Sequence, residues 1–570
     1  MPADDLLRRL AARPVLLWAL AVLGNAVWMP HAGVTHDATL YAAQALNAHD
    51  GRFAGDLFFA YGSQSQYTAL PHLLALMYAA LGIDGAFFLG YLASAGLFVA
   101  GLVALLRRLL GATALLPLAV LGCACCPIPC GNVAPFSVNE TFLTGRLLAG
   151  ALGLFALERV AAGRWLGFAA LTAAALAVHP LVAAPVGLIG VACAVARSGR
   201  WGWPVVAAAT VIGLSLLAVP GLPPTIFGSM SAAWRGQIVA VMGFIDPTTW
   251  GGADLLRLGL AAAVSLGFAR LGRGSPGATL AAAAVLVAGV GLLLAAYAVR
   301  SEARLLVQGQ PFRWVWPLEV LRWPLALAVI ARLWPGAGHL GRAGLVALSL
   351  VAAGLVLLME SAVLDGLRDA GRELAGNLLL RGTSLVALAY LGRDVLAARG
   401  AVPGLLAAAL LWQGVFGEPN RGAWARAEVY QGAEEHAFVA DYLRTRPDGP
   451  TPSLYLAGVD PRWVWCDLGC VGYFLPGHHA GITFSEAGAA EWFRRGRLVV
   501  PFELALADEP GRWAPLLTGT NSHAVPTQAD FDALAAEPAV EVLVLRQEFP
   551  GFAATNGRVF VYDLRRSRRR

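Results

Sequence analysis

The sequence predicts an α-helical protein that crosses a bilayer many times and ends in a small water-soluble α/β domain. Of its 570 residues 58% are hydrophobic and only 14% charged, and the mean hydropathy is +0.63, a balance that a soluble chain of this length does not normally reach. Apolar stretches close to the roughly 20 residues that a helix needs to cross a bilayer core recur from Pro14 to Phe416. Lipid offers backbone groups no other partner, so these stretches are expected to be helices. After Trp412 the hydropathy falls and mixed helix and strand patterns replace the apolar runs.

In chain order, spans are expected near residues 14–30, 85–106, 111–128, 141–157, 165–179, 181–197, 203–220, 256–270, 278–297, 318–332, 341–360, 375–391 and 401–416, about 13 transmembrane helices in a membrane domain over residues 1–416. Arg8, Arg9 and Arg13 precede the first run, which reads as an uncleaved anchor. The apolar segment Tyr67 to Gly82 is expected to lie re-entrant or along the interface. With it left out, the loops holding Arg107/Arg108, Arg159/Arg164, Arg197/Arg200, Arg270/Arg273, Arg332/Arg342 and Arg393/Arg399 all fall on the cytoplasmic side. The N-terminus is then inside, and the loop 31–84 and everything after about 417 are outside. An extra reversal elsewhere stays open, because 165–179 and 181–197 could be one helix bent at Pro180. No lysine occurs, and all 42 basic residues are arginine. With the Ala, Gly and Leu richness this suggests a GC-rich bacterial genome, hence an inner-membrane location. The net charge of +6 sits mostly in interhelical loops and the C-terminal arginines, which speaks of membrane orientation and not of nucleic acid.

Residues 421–570 are expected to form the soluble α/β domain on the periplasmic side, long enough for one modest core. A helix is expected around Glu434 to Thr445, a strand at Ser453 to Ala457, and strands at Val540 to Leu545 and Arg558 to Tyr562 that form a hairpin or lie side by side. Cys466 and Cys470 could be bridged in an oxidising compartment or be two buried thiols. Cys123, Cys125, Cys126 and Cys130 cluster near one span end without an accompanying histidine or carboxylate. A disulfide or simple packing suits them better than zinc.

The chemistry is expected on the outside. The loop HAGVTHDATLYAAQALNAHDGRFAGDLFFAYGSQSQY, His31 to Tyr67, holds Asp37, Asp50 and Asp56 with three histidines and several tyrosines, and its Leu40, Ala43, Leu46 spacing suggests an interfacial helix. Asp37 follows the first span closely, which would keep a carboxylate at the lipid–water boundary. That position suits a base acting on membrane-bound substrates, although an N-cap for the helix that follows explains it too. No GxGxxG, P-loop or HExxH pattern occurs, so nucleotide-driven and zinc-protease chemistry have no support.

At these residues the sequence resembles the polytopic lipid-dependent glycosyltransferases of the GT-C fold, which include protein O-mannosyltransferases and aminoarabinose transferases of lipid A. An acid just after the first span is followed by Tyr41 and an Ala-rich helix ending at Gly51. Pro71-His72-Leu73 then opens a short apolar helix, and a span ends in Arg107-Arg108-Leu-Leu-Gly. The likeness covers about the first 110 residues. It departs from the family at His36-Asp37-Ala38, where many members carry two adjacent acids. The resemblance implies that Asp37 is a general base that deprotonates an acceptor hydroxyl or amine as it attacks the sugar carbon of a polyprenyl-phosphate-linked donor, with inversion at that carbon. His36, Tyr41 and Asp56 would help to bind substrate. The implied partners are the bilayer, the lipid-linked donor and an envelope glycan, lipid or protein acceptor. No cofactor is required by the pattern, and a divalent metal stays open.

A departing lipid phosphate needs a cationic holder, and arginines outside the positive-inside pattern are the candidates: Arg146 after Asn139-Glu140, Arg235, and Arg300, Arg304 and Arg313 in one loop. The stretch Gln308-Gly-Gln310-Pro-Phe-Arg313-Trp-Val-Trp316 mixes amides, a forked cation and interfacial aromatics, a composition suited to gripping phosphate beside lipid. An aromatic belt with a snorkelling arginine has the same composition. Glu140 and Arg146 could serve substrate or pair with each other. His179 lies in an apolar run before Pro180, where a polar side chain marks either a working cavity or a hydrogen-bonded kink. A transporter or lipid flippase with a midplane site is the alternative, and a cavity lined by Asp37 and Arg313 would favour transfer over it. A scaffold role is disfavoured, since one helix would suffice as an anchor.

Overall fold

The computed structural model describes residues 3–125, 127–132, 136–198, 228–333, 433–446, 452–458, 460–504, 517 and 525–565. The spans expected at 203–220, 341–360, 375–391 and 401–416 lie outside the described residues, as does Cys126.

The chain enters through α1 (Ala3–Ala12) and α2 (Pro14–Trp28), which meet at 102° across Arg13. Proline at the first helical position costs no hydrogen bond and presets the backbone, so α2 starts cleanly there. Its buried face, Leu17, Ala21, Gly24 and Asn25, follows helical spacing, and Asn25 Nδ2 donates to Ala124 O at 2.6 Å on α6 (Leu115–Ala124). Between them in sequence run α3 (Asp37–Asp50), the single turn α4 (Leu57–Ala60) and α5 (Leu70–Leu110). Gly51 ends α3 in the left-handed conformation, φ 73°, which a side chain would resist. The 41 residues of α5 would reach about 60 Å if straight, twice a bilayer core. They are broken at Gly82, φ 68° and ψ 176°, so the segment expected along the interface is a separate short helix leading into the long one.

The next helices are α7 (Gly145–Ala161), α8 (Trp165–Val178), α9 (Pro180–Ser198), α10 (Ala232–Val241), α11 (Gly252–Leu271), α12 (Pro276–Ala298), α13 (Arg304–Gly309) and α14 (Trp316–Leu333). Helices α8 and α9 are two elements. His179, before Pro180, is extended at φ −158°, as the clash with a following proline ring dictates.

The expectation of about 13 spans is not met one for one. Among the described residues, four helices are long and apolar enough to cross a membrane: Leu70–Leu110, Pro180–Arg197, Pro276–Ala298 and Pro311–Leu333, with a fifth if the bent α1–α2 pair counts as one. Apolar runs expected at 111–128 and 165–179 become helices of only 10 and 14 residues, because a hydropathy window does not see where turns stop the helix. With these helices the chain is an integral membrane protein.

The C-terminal residues build a five-stranded sheet in the order β2-β1-β3-β5-β4. Strands β1 (Ser453–Leu456), β2 (Val471–Gly472) and β3 (Val542–Leu545) run parallel, while β5 (Phe560–Asp563) pairs antiparallel with β3 and with β4 (Ala554–Thr555). Helices α15 (Ala433–Thr445), α16 (Glu486–Leu504) and α17 (Gln528–Ala535) accompany it. The sheet is not a separate globule. Leu40, Leu46, Phe53 and Phe58 of the loop share one apolar cluster with Trp465, Leu475, Val542 and Val544. Cys466 and Cys470 stand as thiols, and Cys470 Sγ lies 3.5 Å from Leu468 O.

Candidate active site

A cavity of about 290 Å³ opens where α3, α7, the α8–α9 break, the turn before α14 and the segment 479–484 converge. Asp37, Arg146, His179, Gln310 and Arg313 all line it, with His36 and Tyr41 beside them. Sequence positions hundreds of residues apart thus share one pocket.

Asp37 opens α3, and its side chain is 22% exposed. Arg146 Nη2 donates to Asp37 Oδ2 at 2.7 Å and to Glu140 Oε1 at 2.7 Å, while Arg146 Nε lies 3.0 Å from Glu140 Oε2. Thr144 Oγ1 donates to the same Oε2 at 2.7 Å. Glu140 is buried behind Arg146 and does not line the cavity. It holds the guanidinium so that one face remains toward Asp37. Buried ion pairs persist only with such full hydrogen bonding. His36 Nδ1 stands 3.3 Å from Asp37 Oδ1, and the bond to Asp37 outweighs burial and raises the imidazole above its usual range. Burial by itself would raise the Asp37 carboxyl, but the Arg146 guanidinium and then His36 overcome it and hold the group well below the usual carboxylate range. Burial pushes the Tyr41 hydroxyl up to about 12, so it stays a neutral donor.

Arg313 is the contrasting cation. It is 4% exposed. Its Nε donates to Gln310 Oε1 at 2.6 Å, and among the described residues its buried Nη1 has no hydrogen-bond partner and the side chain makes no ion pair. The Phe136 ring lies 4.1 Å from the Arg313 Cζ and 4.7 Å from the Arg146 Cζ, so one aromatic ring holds both cations. Among the described residues, His36 (φ 49°) and Gln310 (φ 43°) are the two non-glycine residues with positive φ, and both line this cavity. Each such conformation costs on the order of 1 to 3 kcal/mol and is typically kept where a site needs it.

Other residues singled out in the sequence lie elsewhere. Asp56 does not reach the cavity. It is wholly buried and accepts from Phe58 N, Trp465 Nε1 and Gly472 N at 2.9, 2.9 and 2.8 Å, with His478 Nε2 at 3.0 Å. Its place is a junction between loop and sheet. Arg304 points away as well, donating to Ser229 O at 3.2 Å and stacking on Trp234 at 4.8 Å. Arg300 is an exposed surface cation beside Thr248 and Asp246, and Arg235 donates to Ser301 O. His179 combines both of its readings: its Nδ1 accepts from Val182 N at 3.3 Å at the kink, and its ring lines the cavity.

Nothing in the sequence singled out Phe136, one phenylalanine among 24. Nor did it single out Arg257, whose Nη1 pairs with the buried Glu319 at 2.7 Å while Nη2 donates to Gly131 O at 2.6 Å. A sequence read for charges against the positive-inside pattern could have found Arg257, which sits near the N-terminal end of α11. Among the described residues, no three His, Cys, Asp or Glu side chains are grouped closely enough to hold a metal ion.

No protein-family profile matches the chain, and no curated protein matches it. A search of solved structures returns the crystal structure of ArnT from Cupriavidus metallidurans bound to undecaprenyl phosphate, which aligns with 96% of this chain and 97% of that chain at 15% identity and a TM-score of 0.47.

Proposed function

We propose that the protein is a membrane glycosyltransferase that moves a sugar from a polyprenyl-phosphate-linked donor to an envelope acceptor on the external face. The observation that carries the reading is that one cavity holds a carboxylate, Asp37, and a buried guanidinium, Arg313, with an unsatisfied donor. An orphaned buried donor on a cation calls for an anion. A lipid-borne phosphate meets that need where the cavity borders apolar helices. Sharing of the cavity by Asp37 and Arg313 also favours transfer over transport.

In this reading the acceptor oxygen or nitrogen attacks the anomeric carbon, the bond from that carbon to the phosphate oxygen breaks, and the acceptor proton passes to Asp37. The polyprenyl phosphate leaves with its added charge on Arg313. Attack from the side opposite the phosphate inverts the carbon. Arg146 holds the proton affinity of Asp37 down. A phosphate drawing on Arg313 and Arg146 adds negative charge nearby and raises that affinity, so the base strengthens when the donor is seated. His36 and Tyr41 flank Asp37, Gln310 orients Arg313, and Glu140 orients Arg146. The N-terminus is cytoplasmic and the C-terminal sheet periplasmic.

The test is mass spectrometry of envelope glycans and lipids from cells carrying Asp37→Asn or the wild-type protein, with both expressed to equal levels. A modified species should vanish in the variant. Identical profiles would sink the proposal.

A further inference from the structure

One wall of the cavity comes from the C-terminal part of the chain. The stretch 477–486 supplies His479, Ala480 and Phe484 to it, and that stretch is gripped along its length. Ile482 O accepts from Trp234 Nε1 at 2.7 Å, and Thr483 O accepts from Gln308 Nε2 at 2.9 Å. At its start the His478 ring sits between Leu475 and Asp56. Nδ1 accepts from Leu475 N at 3.1 Å, which leaves the hydrogen on Nε2, 3.0 Å from Asp56 Oδ1. Asp56 also accepts from Trp465 Nε1 and from Gly472 N in β2. A single carboxylate of the loop therefore fixes the residue adjacent to His479.

The two sides of the cavity differ in chemistry. The cations and the carboxylate come from the loop and the membrane helices. The stretch 477–486 brings no charge to the lining but an imidazole and the Phe484 ring, which stacks on Tyr67 with centroids 5.7 Å apart and planes 26° from parallel. A lipid-borne donor arrives through apolar helices, while a polar co-substrate arrives past the sheet. Stacked rings with adjacent hydrogen-bonding groups suit a polar molecule with a flat apolar face.

We propose that residues 477–486 form the acceptor-side wall of the site, receiving a polar hydroxyl- or amine-bearing acceptor, and that Asp56 is the residue that positions this wall. The proposal rests on the reading of the cavity as a transferase site. Asp56 acts through His478 and is a positioning residue, not a catalytic one.

The experiment uses full-length protein in lipid nanodiscs with Asp56→Asn, His479→Ala and Phe484→Leu. Three quantities are measured: hydrogen exchange along the chain, affinity for undecaprenyl phosphate, and the acceptor KM and kcat with a saturating lipid-linked donor. Asp56→Asn should speed exchange of 477–486 about tenfold or more while 542–545 stays protected. It should raise the acceptor KM about tenfold, with kcat and lipid-phosphate affinity within about threefold. His479→Ala and Phe484→Leu should raise the acceptor KM without changing exchange, which keeps the wall assignment testable if Asp56→Asn does not fold. Loosening that spreads over the whole sheet, or an equal loss of lipid-phosphate affinity, would make Asp56 a clamp of the fold only. An acceptor KM unmoved in all three variants would overturn the wall. A wild-type protein that transfers no sugar overturns the transferase reading and the acceptor assignment with it, whereas the exchange arm still decides whether Asp56 holds the segment.

Discussion

Replacing Arg313 with methionine should weaken binding of a lipid phosphate without weakening the fold. The structure sets both sizes. A charge-assisted hydrogen bond contributes about 1.5 to 3 kcal/mol, and Arg313 has at least one donor, Nη1, with no protein partner to leave. Loss of that bond alone raises the Kd for undecaprenyl phosphate about 10- to 150-fold. On the stability side, a buried cation without a carboxylate partner is a liability, and apolar replacement of buried charges is often neutral or stabilising by about 1 to 4 kcal/mol. The contact to Phe136 at 4.1 Å offsets about 0.5 to 2 kcal/mol of that gain. Arg313→Met without ligand should therefore melt at or slightly above the wild-type temperature. The assay is titration of nanodisc-held protein with undecaprenyl phosphate and with undecaprenol, alongside thermal unfolding. Arg313→Lys should fall between, since it keeps the charge but loses the Nε bond to Gln310. The reasoning is refuted if Arg313→Met binds the phosphate as tightly as wild type. It also fails if the neutral alcohol loses as much affinity, or if the melting temperature drops by several degrees.

Asp37→Asn should lower transfer by about 10²- to 10⁴-fold while lipid-phosphate affinity changes little, a split read by turnover and titration on one preparation. Arg146→Ala should behave in the opposite way to Arg313→Met, costing about 3 to 5 kcal/mol because Asp37 and Glu140 both lose their shared cation; a variant that unfolds at the wild-type midpoint would contradict the geometry. Asp56 has a folded pKa below its ordinary value, since His478 and the donors of Trp465 and Phe58 outweigh burial. Its contribution to stability is then present above about pH 4 and is lost as pH falls through the folded value. Asp56→Asn should flatten the acid limb of the melting temperature against pH, which would look the same in both proteins if the carboxylate carried nothing. Reporter fusions after Gly111 and Asn420 should report inside and outside respectively, and an outside signal at 111 would break the topology.

What the sequence revealed about the site depended on how local each cause was. Asp37, Arg313 and Gln310 were legible because a loop acid at a span end and an arginine among amides and aromatics are anomalies within a few residues. Glu140 and Arg146 are six positions apart, and their pairing was a fair alternative. That Arg146 also reaches Asp37, 109 residues earlier, was not legible. That Asp56 is buried between loop and sheet was not legible, because its partners, Trp465 and Gly472, come more than 400 residues later. Phe136 was invisible, since only its placement between two guanidiniums distinguishes it. Helix α5 is the opposite case at the level of fold: the segment Tyr67 to Gly82 was set apart from the span at 85–106 in the sequence, and the helix breaks at Gly82.

The cluster that joins Leu40, Phe53 and Phe58 to Trp465, Val542 and Val544 bears on how this protein can be handled in pieces. Hydropathy invites a cut near residue 421, yet a fragment from there onward would carry half a core, with the apolar side of its sheet bare and the loop that covers it left in the membrane. Such a fragment should self-associate on expression. Joining residues 31–84 to it through a flexible linker should keep it monodisperse, so the smallest foldable part around this sheet is discontinuous in sequence.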